Sequence, residues 1–536
     1  MTTPIRAATR PKPVPAVTLV RRALLIGTPA TIQLTRDQLA LVDGGPEPIG
    51  CILLDAVQPR AGGGLPVFGA ADALATAIHE HHPDLAVVSL PTTRRDDIAR
   101  IRTELARLGV PERFLPPLGE LLDNPPTALP ALLPATSATL ASRLDLAELI
   151  GRAAHEIDRV AVGRVLAGKR VLITGAGGSI GAELARVVAS FGPEQLQLMD
   201  RSENALFEID RVIARLAPGL PRRTILHDVV DADQTLALLV DLKPNVVFHA
   251  AAHKHVPLME DHPSHAVTNN LFGTKSIADA AAAVGAERFV FVSTDKAVNP
   301  TSVMGATKRL AEMYAHWAHE ASRRIAGEAE CATRFSIVRF GNVVGSACSV
   351  LTIWSAQLAE GGPISVTDPR MTRYFMTIPE AAALVVQSAA LEPGPGPAHA
   401  GRSAAVYVLD MGAPIRILDL AERFARAHGF EPRVADADRH GLVRPPAPTT
   451  NRPTMEVVFT GIRPGEKLYE ELSYEAEDLR PTDHAGINAW AGPAPRTNCA
   501  SMIADLGQVR TSRDRDAVLA AIRRHVPEMT RTAAAR

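Results

Sequence analysis

Residues 171–181 read Val-Leu-Ile-Thr-Gly-Ala-Gly-Gly-Ser-Ile-Gly, and the fold of the chain follows from this stretch. The apolar run 171–173 is typical of a short buried strand. Three glycines follow at the spacing G-x-x-G-x-x-G, at Gly175, Gly178 and Gly181. Apolar residues then recur at helical spacing, at Ile180, Leu184, Val187, Val188 and Phe191. A strand, a glycine turn and a helix in this order are the context that a dinucleotide-binding fingerprint requires.

The glycines of this turn predict a site for a pyrophosphate. Glycine lets the backbone turn tightly and approach the anion, and a helix that begins near Ser179 and Ile180 presents N–H groups to it. An ordinary glycine-rich turn is the alternative interpretation. Asp200 ends the next predicted strand, where a carboxylate would meet the ribose hydroxyls, and it favours the dinucleotide site.

The acid after the second strand also predicts which dinucleotide binds. Asp200 would accept hydrogen bonds from both adenosine ribose hydroxyls and repel a 2′-phosphate, so we expect NAD. Arg201 follows at once and would favour NADP, which remains the alternative. Asp228 and Val229 follow the third strand and are expected near the adenine. A simple turn aspartate is the alternative for Asp228.

The composition of the 536 residues excludes several classes of protein. A formal net charge of -1 argues against electrostatic binding to nucleic acid or to an anionic membrane. The four cysteines show no C-x-x-C spacing, so neither a disulfide framework nor a zinc site is indicated. No run of about twenty uncharged apolar residues exists, so no integral membrane segment is expected. We expect a cytoplasmic location, with peripheral association with the inner membrane as a second possibility.

The βα pattern and the prolines divide the chain into five parts. These are a disordered tail (1–20), a small parallel-sheet domain (21–115), a proline-rich linker (116–143), a central domain (144–480) and a C-terminal extension (481–536). In the small domain we predict strands at 22–27, 49–54 and 85–90 and helices at 70–80 and 96–108. Its first turn lacks the later fingerprint glycines, and Pro29 has no N–H for a phosphate. We therefore predict no nucleotide there, with a second cofactor site as the alternative.

From residue 170 the alternation of strands and helices predicts a doubly wound parallel sheet, the α/β Rossmann fold. Strands are predicted at 170–174, 196–199, 224–226, 246–249, 289–293 and 336–339. After Gly341 the mixed pattern predicts a smaller lobe over the carboxyl ends of the strands. The small residues Ala250, Ala251 and Ala252 follow the fourth strand and would leave room for the cofactor. Five nearby histidines raise the question of a metal, but no known zinc spacing is present and no metal is expected.

The end of the fifth strand carries titratable residues. Thr294, Asp295 and Lys296 stand where the carboxyl ends of the strands line the ligand crevice. Met304 and Lys308 follow at the spacing of the Tyr-x-x-x-Lys pair of short-chain dehydrogenases, with methionine in the tyrosine position. A thioether cannot carry a proton. Either the site is inactive, or other groups carry the protons, and the adjacent Asp295 and Lys296 favour the second interpretation.

With these residues the chain resembles the polysaccharide-biosynthesis nucleotide-sugar 4,6-dehydratases, the CapD-like group of the extended short-chain dehydrogenases. The resemblance rests on the glycine turn and on Ala251-Ala-His-Lys-His-Val-Pro-Leu-Met-Glu260, Asn269-Asn-Leu-Phe-Gly-Thr274, Val292-Ser-Thr-Asp-Lys-Ala-Val-Asn-Pro300, Met304-Gly-Ala-Thr-Lys308, Arg339-Phe-Gly-Asn-Val343, Met371-Thr-Arg-Tyr-Phe-Met-Thr-Ile378 and Gly461-Ile-Arg-Pro-Gly-Glu-Lys-Leu468. It covers about residues 144–472.

The resemblance implies an active enzyme, because the methionine at 304 is typical of the long members of this group. Those members carry a degenerate Rossmann-like domain, here 21–115, before the catalytic domain, here 144–480. They usually begin with transmembrane helices, and this sequence shows none. A second departure is Ala347-Cys348, where the group has a polar residue and a glycine, so a substrate contact is expected to be weaker. We also expect a homo-oligomer.

The resemblance further implies residues that bind ligands. Asn270 is expected at the cofactor, and Lys308 is expected to hold the nicotinamide ribose. The nucleotide-sugar pocket is expected to include Lys254, Asn342, Arg373, Arg463 and Glu466. Arginine suits a diphosphate because its fork donates two hydrogen bonds. For any single arginine a surface ion pair is the alternative, and Lys254 could equally be a solvated loop residue.

The reaction expected from the resemblance is NAD-dependent 4,6-dehydration of a UDP-sugar, with UDP-N-acetylglucosamine as the favoured substrate. Thr294 is expected to hydrogen-bond the 4-oxygen. Asp295 is expected to act as the acid, with the base for the 4-hydroxyl as its second role. Lys296 is expected to be the C5 base, which requires a lowered pKa. The alternatives are a UDP-sugar 4-epimerase and a catalytically inactive sugar-nucleotide-binding protein.

Overall fold

The computed structural model describes residues 22–39, 46–54, 64–90, 94–114, 146–151, 154–326, 332–346, 349–392, 404–435, 453–472, 479–492 and 498–529. The predicted tail 1–20, the linker 116–143 and the pair Ala347-Cys348 lie outside these residues. The chain divides into two compact units, Met1–Leu132 and Leu133–Arg536.

The first unit is a five-stranded parallel sheet with the order β3-β2-β1-β4-β5. Its elements are β1 (Arg22–Gly27), α1 (Pro29–Leu39), β2 (Glu47–Leu53), β3 (Val67–Gly69), a 3₁₀ turn (Ala71–Ala73), α2 (Leu74–His81), β4 (Leu85–Ser89), α3 (Arg95–Leu108) and β5 (Glu112–Phe114). Alternate residues of β1 are buried in two separate core clusters, one on each face of the sheet. A parallel sheet covered on both faces accounts for the continuous apolar runs. The predicted strand 22–27 is confirmed from end to end.

The sequence analysis missed α1, β3 and β5 in this unit. Helix α1 begins at Pro29, a place where the missing N–H of proline removes no helical hydrogen bond. Its many polar residues hide the helical period. The strands β3 and β5 have three residues each, which is too short for a pattern of hydrophobic residues to show.

The second unit is built around a nine-stranded sheet with the order β20-β21-β16-β11-β10-β9-β6-β7-β8. Its strands are β6 (Arg170–Thr174), β7 (Gln195–Asp200), β8 (Arg222–Leu226), β9 (Val246–His249), β10 (Arg288–Val292), β11 (Arg334–Arg339), β16 (Ala405–Leu409), β20 (Leu479–Pro481) and β21 (Ile487–Trp490). All pairs from β8 to β16 are parallel, whereas β21 and β20 add antiparallel at the edge. The predicted doubly wound α/β fold is confirmed.

Helices cover both faces of this sheet. They are α4 (Leu146–Ile150), α5 (Arg159–Leu166), α6 (Ser179–Ala189), α7 (Glu203–Leu216), α8 (Ala232–Leu242), α9 (Val256–Asp261), α10 (Pro263–Ala266), a π-helical turn (Val267–Phe272), α11 (Gly273–Ala283), a 3₁₀ turn (Asp295–Ala297), α12 (Val303–Ala326), α14 (Ile378–Ser388), α16 (Cys499–Val509) and α17 (Arg515–His525), with α13 (Val350–Ala359) and α15 (Ile417–Ala427) in the smaller lobe. The strand order reverses between β6 and β9, and ligands bind at such a switch point, outside the carboxyl ends of the strands.

A smaller lobe stands over that edge, as the mixed pattern after Gly341 predicted. It contains the parallel sheet β13-β19-β18 and the pairs β12–β15 and β14–β17. Its strands are β12 (Asn342–Val344), β13 (Ile364–Val366), β14 (Thr372–Arg373), β15 (Phe375–Thr377), β17 (Ile415–Arg416), β18 (Glu431–Val434) and β19 (Thr454–Phe459). Leu149 and Ile150 of α4 are buried in the same cluster as Trp354 and Phe424, so the start of the second unit packs into this lobe.

Residues 481–536 do not form a separate extension in the part of the chain that the structure describes. Strand β21 pairs with β16 of the main sheet, and helices α16 and α17 pack against α12. Met502, Leu506 and Ile522 are fully buried in the same core cluster as Leu310. This core completes the second unit. It could not be predicted, because the amphipathic pattern of two short helices does not indicate which helix they pack against.

Within the described residues, no helix combines the length and the hydrophobicity that crossing a membrane requires.

Candidate active site

Around the turn between β6 and α6 there is room for glycine alone at Gly175, Gly177 and Gly181. Gly175 has a φ of +68°, and a Cβ there would lie 2.7 Å from the backbone nitrogen of Ala251. A Cβ on Gly181 would overlap the carbonyl oxygen of Gly175. The absence of these side chains lets α6 start directly behind the turn, with Gly178 as its N-cap. The result is a backbone cradle of the kind that holds a pyrophosphate.

Asp200 stands at the end of β7 and is held by the glycine turn. One carboxylate oxygen accepts a hydrogen bond from the N–H of Gly177 at 2.9 Å, and the other accepts from the N–H of Ser202 at 2.9 Å. Each carboxylate oxygen can accept a second bond. Asp200 lines a cavity of about 150 Å³ together with Asp228, Val229 and the segment 250–252. The cradle and the acid therefore fit the pyrophosphate and ribose of a dinucleotide.

Arg201 lies in the same cavity but has protein partners. Its Nη1 lies 3.7 Å from Asp228 Oδ2 and donates to Asn269 Oδ1 at 3.3 Å. Its Nη2 lies 3.4 Å from His253 Nε2. Because Asp228 offsets part of its charge, Arg201 is a weaker attractant for a 2′-phosphate than an isolated arginine would be.

Asn270 is fully buried and does not line either of the cavities that contain the glycine turn. Its Oδ1 accepts from the N–H of His253 at 2.8 Å, and its Nδ2 donates to His253 O and Thr307 Oγ1 at 3.1 Å each. In this structure Asn270 ties the loop after β9 to α12. It shapes the cofactor cavity indirectly, and direct contact with a cofactor stays a prediction.

A larger cavity of about 650 Å³ runs from the glycine turn into the smaller lobe. It brings together most of the predicted site residues, namely Gly175, Gly178, Ser179, Ile180, Gly181, Ala250, Ala252, Lys254, Thr294, Lys296, Met304, Lys308, Asn342, Arg373, Arg463 and Glu466. Residues from the main sheet and from the smaller lobe line this cavity. A dinucleotide at the glycine turn and a second ligand at the smaller lobe would therefore share one cavity.

Thr294, Asp295 and Lys296 form one hydrogen-bonded group at the end of β10. Thr294 Oγ1 donates to Asp295 Oδ1 at 2.8 Å, and Lys296 Nζ donates to the same oxygen at 3.0 Å. Lys296 Nζ also donates to Asn342 Oδ1 at 3.2 Å. Thr294 and Lys296 line the large cavity, whereas Asp295 is fully buried. A Cβ on Gly341 would lie 3.0 Å from Asp295 Oδ2, which has no hydrogen-bond partner among the described residues.

The charge state of Lys296 differs from the expectation. Burial alone would lower the pKa of Lys296, but the carboxylates of Asp295 and Glu470 outweigh burial, and the pKa is raised. The prediction of a lowered pKa is therefore wrong for this state of the site. Lys296 is protonated, and it has to give up a proton before it can act as a base.

Glu470 belongs to this site and was missed. Its Oε1 lies 3.6 Å from Lys296 Nζ and 3.7 Å from Arg373 Nε, and its side chain is only 3% exposed. Glu470 stands two residues after the quoted stretch that ends at Leu468. The sequence offered only that proximity as a signal, because acids are common on chain surfaces and the contact with Lys296 is tertiary.

Met304 and Lys308 lie on α12 beneath the cavity. Lys308 Nζ donates to Val292 O at 2.7 Å and lies 4.0 Å from the centroid of the Phe291 ring. Burial lowers the pKa of Lys308 to about 7, against the opposing charge of Glu312. Met304 is buried beside the cavity and offers no proton. Lys308 and the hydrogen-bonded group around Lys296 are groups at this cavity that can carry a proton.

The predicted substrate residues include one that is held by protein carbonyls and two near solvent. Arg373 donates to the carbonyls of Thr372, Lys467 and Leu468, so its guanidinium mainly holds the protein together. Its predicted contact with a diphosphate stays a prediction. Arg463 is exposed at the mouth of the cavity, and Glu466 Oε2 accepts from its backbone N–H at 3.2 Å.

The first of the five histidines, His249, is the last residue of β9. His249 is fully buried between Thr174 Oγ1 at 2.7 Å and Thr274 Oγ1 at 3.0 Å. Burial lowers the pKa of His249 to about 3. No group of three or more potential ligands with metal-binding geometry occurs in the described ranges.

Comparison with known proteins supplies the relationships of the chain. The profile of the family described as "Polysaccharide biosynthesis protein" matches residues 171–491. "Probable polysaccharide biosynthesis protein EpsC" of Bacillus subtilis is 38% identical over 473 residues, which cover 87% of this chain and 71% of that protein. "Capsular polysaccharide biosynthesis protein CapD" of Staphylococcus aureus is 41% identical over 331 residues, which cover 62% of this chain and 49% of that protein.

Two kinds of enzyme are similar at lower identity. "UDP-N-acetylglucosamine 4,6-dehydratase (inverting)" of Campylobacter jejuni is 29% identical over 324 residues, which cover 58% of this chain and 81% of that protein. Proteins named UDP-glucose 4-epimerase from Rickettsia species match a similar share of the chain at a similar identity. The identities alone therefore do not separate the two activities, and the residues of the site have to do so.

Proposed function

The chain belongs to the polysaccharide biosynthesis protein family, and from this premise we propose that it is an NAD-dependent nucleotide-sugar 4,6-dehydratase acting on UDP-N-acetylglucosamine. The family membership confirms the resemblance to the CapD-like group. The observation that carries the proposed activity is the hydrogen-bonded group of Thr294, Asp295 and Lys296, which stands on the cavity that begins at the glycine turn.

The residues that would hold NAD are those of the cradle. Gly175, Gly178 and the start of α6 would bind the pyrophosphate, and Asp200 would bind the adenosine ribose. Lys308 would hold the nicotinamide ribose at the other end. A nicotinamide bound in this way supplies the hydride transfers, from sugar C4 at the start and to C6 at the end.

Loss of the 4-hydroxyl proton would be assisted by Thr294 and Asp295. Thr294 Oγ1 faces the cavity and already donates to Asp295 Oδ1, so a proton from the sugar can pass through the hydroxyl to the buried carboxylate. Asp295 was expected first of all as the acid of the elimination. Because Asp295 is sealed beneath the cavity, the geometry favours its second expected role, the base for the 4-hydroxyl.

Removal of the C5 proton would fall to Lys296. A ketone at C4 acidifies the hydrogen on C5, and Lys296 Nζ is the amine that faces the cavity beside Thr294. The amine has to be neutral at that moment, and two carboxylates stand close enough to take its proton. General bases of this kind contribute about 10²–10⁴-fold to a rate.

Two other functions remain as alternatives. A UDP-sugar 4-epimerase would need only the redox step at C4, and the lysine with two carboxylates at C5 and C6 argues against it. A catalytically inactive sugar-nucleotide-binding protein is favoured by Met304 in the tyrosine position.

The mass of the product separates the three functions. We would incubate the purified protein with UDP-N-acetylglucosamine and measure the product by mass spectrometry and NMR. Loss of one water is the expected result and supports the dehydratase. An unchanged mass with inverted C4 would indicate an epimerase, and binding without turnover would indicate the inactive protein.

A further inference from the structure

Glu470 is a buried carboxylate that the proposed reaction has not yet used. Its Oε1 lies between two cations, 3.6 Å from Lys296 Nζ and 3.7 Å from Arg373 Nε. Its Oε2 is buried and has no hydrogen-bond partner among the described residues. Burying a carboxylate oxygen without a hydrogen-bond donor costs free energy, so its presence beside Lys296 indicates a chemical role for Glu470.

A second cavity gives Glu470 access to the substrate. This side cavity has a volume of about 210 Å³ and is lined by Glu470, Lys296, Asn342 and Arg373 among others. The last three of these residues also line the large cavity, so the two cavities are neighbours that share these side chains. A sugar with C5 at Lys296 could therefore extend its C6 hydroxyl toward Glu470.

The other carboxylate near Lys296 is less suited to meet a leaving group. Asp295 is fully buried, lines neither cavity, and shares its Oδ1 between Thr294 and Lys296. Its Oδ2 is packed against Gly341. Glu470, by contrast, lines the side cavity.

We propose that Glu470 is the general acid of the elimination, and that it receives its proton from Lys296. This assignment rests on the proposed dehydratase function. In the first step one proton moves from the Lys296 ammonium to the Glu470 carboxylate, which leaves a neutral amine and a neutral carboxylic acid side by side. The amine then takes the C5 proton, and the C5–H electron pair forms the C5=C6 double bond. The C6–O bond breaks, and the departing hydroxide takes the proton of Glu470 and leaves as water.

The proton count of the elimination closes, because at its end Lys296 carries the proton from C5 and Glu470 is again a carboxylate. When hydride adds to C6, Lys296 returns a proton to C5. The proton that Asp295 took from the 4-hydroxyl then restores the Lys296 ammonium, 3.0 Å away. No oxidant or further proton donor is required for the elimination. The transfer within the pair also leaves the net charge of the site unchanged, which matters because an uncompensated charge in a buried site is strongly unfavourable.

The test compares Glu470→Gln with the matched control Glu471→Gln in the full chain. Glu471 is the next residue, is about half exposed, and accepts from Lys467 Nζ at 3.3 Å and Asn299 Nδ2 at 3.0 Å. Glutamine keeps the size of Glu470 but cannot accept the proton. We expect the rate of water loss from UDP-N-acetylglucosamine to fall about 10²–10⁴-fold in Glu470→Gln and to stay near wild type in Glu471→Gln. Oxidation at C4, followed in a single turnover, should persist in both variants, and Glu470→Asp should recover part of the loss.

A measurement without substrate tests the proton partnership directly. Labelling of Lys296 by an amine-reactive reagent, followed by mass spectrometry as a function of pH, reports the fraction of neutral amine. Removal of one carboxylate should lower the pH of half-maximal labelling in Glu470→Gln and leave it unchanged in Glu471→Gln. This shift tests the contact between the two side chains, and the selective loss of water elimination with C4 oxidation retained distinguishes the acid from a structural residue.

Water loss at a wild-type rate in Glu470→Gln overturns the assignment. An equal loss of C4 oxidation and water loss, with unchanged labelling of Lys296, shows a structural role and also overturns it. If the wild-type protein removes no water from the sugar while Glu470→Gln still shifts the labelling, the proposed function has failed and the catalytic assignment fails with it, whereas the contact with Lys296 stands.

Discussion

In each unit the first strand of the parallel sheet is followed by a turn and a helix, but the residues at the start of that helix differ between the two units. In the first unit Thr31 Oγ1 accepts from the N–H of Thr28 at 2.9 Å and donates to Ser89 O at 2.6 Å. Pro29 has no N–H at all. The N–H of Thr28 is thus already engaged and residue 29 offers none, so the absence of a nucleotide here stays a prediction.

In the second unit the corresponding turn is rich in glycine. Gly175 and Gly181 have no room for a Cβ, and the turn opens on the large cavity. Asp200 ends the second strand of this unit, whereas β2 of the first unit ends in Leu53. The comparison teaches that a parallel sheet with helices on both faces is a scaffold, and that binding depends on what fills the first turn.

The largest effect on dinucleotide binding is expected when one glycine behind the first strand of the second unit is replaced by alanine. The matching replacement in the first unit is the comparison. Gly181→Ala would force its Cβ into the carbonyl of Gly175, so we expect dinucleotide affinity to fall about 100-fold or more, roughly 3 kcal/mol. Gly27→Ala places its Cβ 2.5 Å from Thr31 Oγ1, and we expect it to destabilise the first unit without changing bound dinucleotide. The bound dinucleotide per chain is measured after denaturation.

Wild-type protein should release one dinucleotide per chain. Two dinucleotides per chain in the wild type would contradict the contrast between the turns. A Gly27→Ala variant that releases less dinucleotide than the wild type, although its second unit is still fully occupied, would contradict it too.

A smaller effect is expected at the end of the second strand. Asp200→Asn removes the charge that repels a 2′-phosphate and weakens the bonds to the ribose, so NAD affinity should fall about 10–100-fold, roughly 1.5–3 kcal/mol. The preference for NAD over NADP should narrow at the same time. Asp228→Asn should narrow the preference as well, because it removes the charge that offsets Arg201. Wild-type protein that releases mainly NADP would show that Arg201 governs the cavity instead.

The smallest effect concerns acid stability of the second unit. Burial lowers the pKa of His316 to about 3, and neither ring nitrogen has a hydrogen-bond partner among the described residues. The unfolded chain therefore binds the proton at higher pH than the folded one, and stability is full above pH about 6.5 and falls as the pH drops toward 3. His316→Phe should reduce the loss between pH 6.5 and 5 by on the order of 1 kcal/mol.

Urea unfolding followed by tryptophan fluorescence measures this difference, because Trp317, Trp354 and Trp490 are the three tryptophans of the chain and all belong to the second unit. His249, also buried with a pKa lowered to about 3, remains in both proteins and contributes the same slope. Equal pH dependence in wild type and His316→Phe would contradict the expectation.

Much of the second unit could be predicted because short buried strands are local features. The strands 170–174 and 246–249 are confirmed from end to end, since each is a continuous apolar run between turn residues. The C-terminal strand and helices could not be placed in the core, because their partners β16 and α12 are distant in sequence.

The site shows the same limit. Gly175, Asp200 and Lys296 stand at the ends of strands, so their convergence follows from the fold. Glu470 meets Lys296 only through the packing of the segment after β19, and no local pattern announces it. Arg373 has the right side chain for a diphosphate, but carbonyls of that same segment engage it.

The central claim is that Lys296 removes the C5 proton in a dehydration carried out by the second unit. We would incubate wild type and Lys296→Ala with UDP-N-acetylglucosamine in heavy water and follow deuterium at C5 by NMR and the product by mass. The product made by the wild-type protein should lack one water and carry deuterium at C5. Lys296→Ala should keep its NAD and oxidise C4. Its rates of C5 exchange and of water elimination should fall about 10²–10⁴-fold. Normal C5 exchange in Lys296→Ala would contradict the account and remove the lysine from the mechanism.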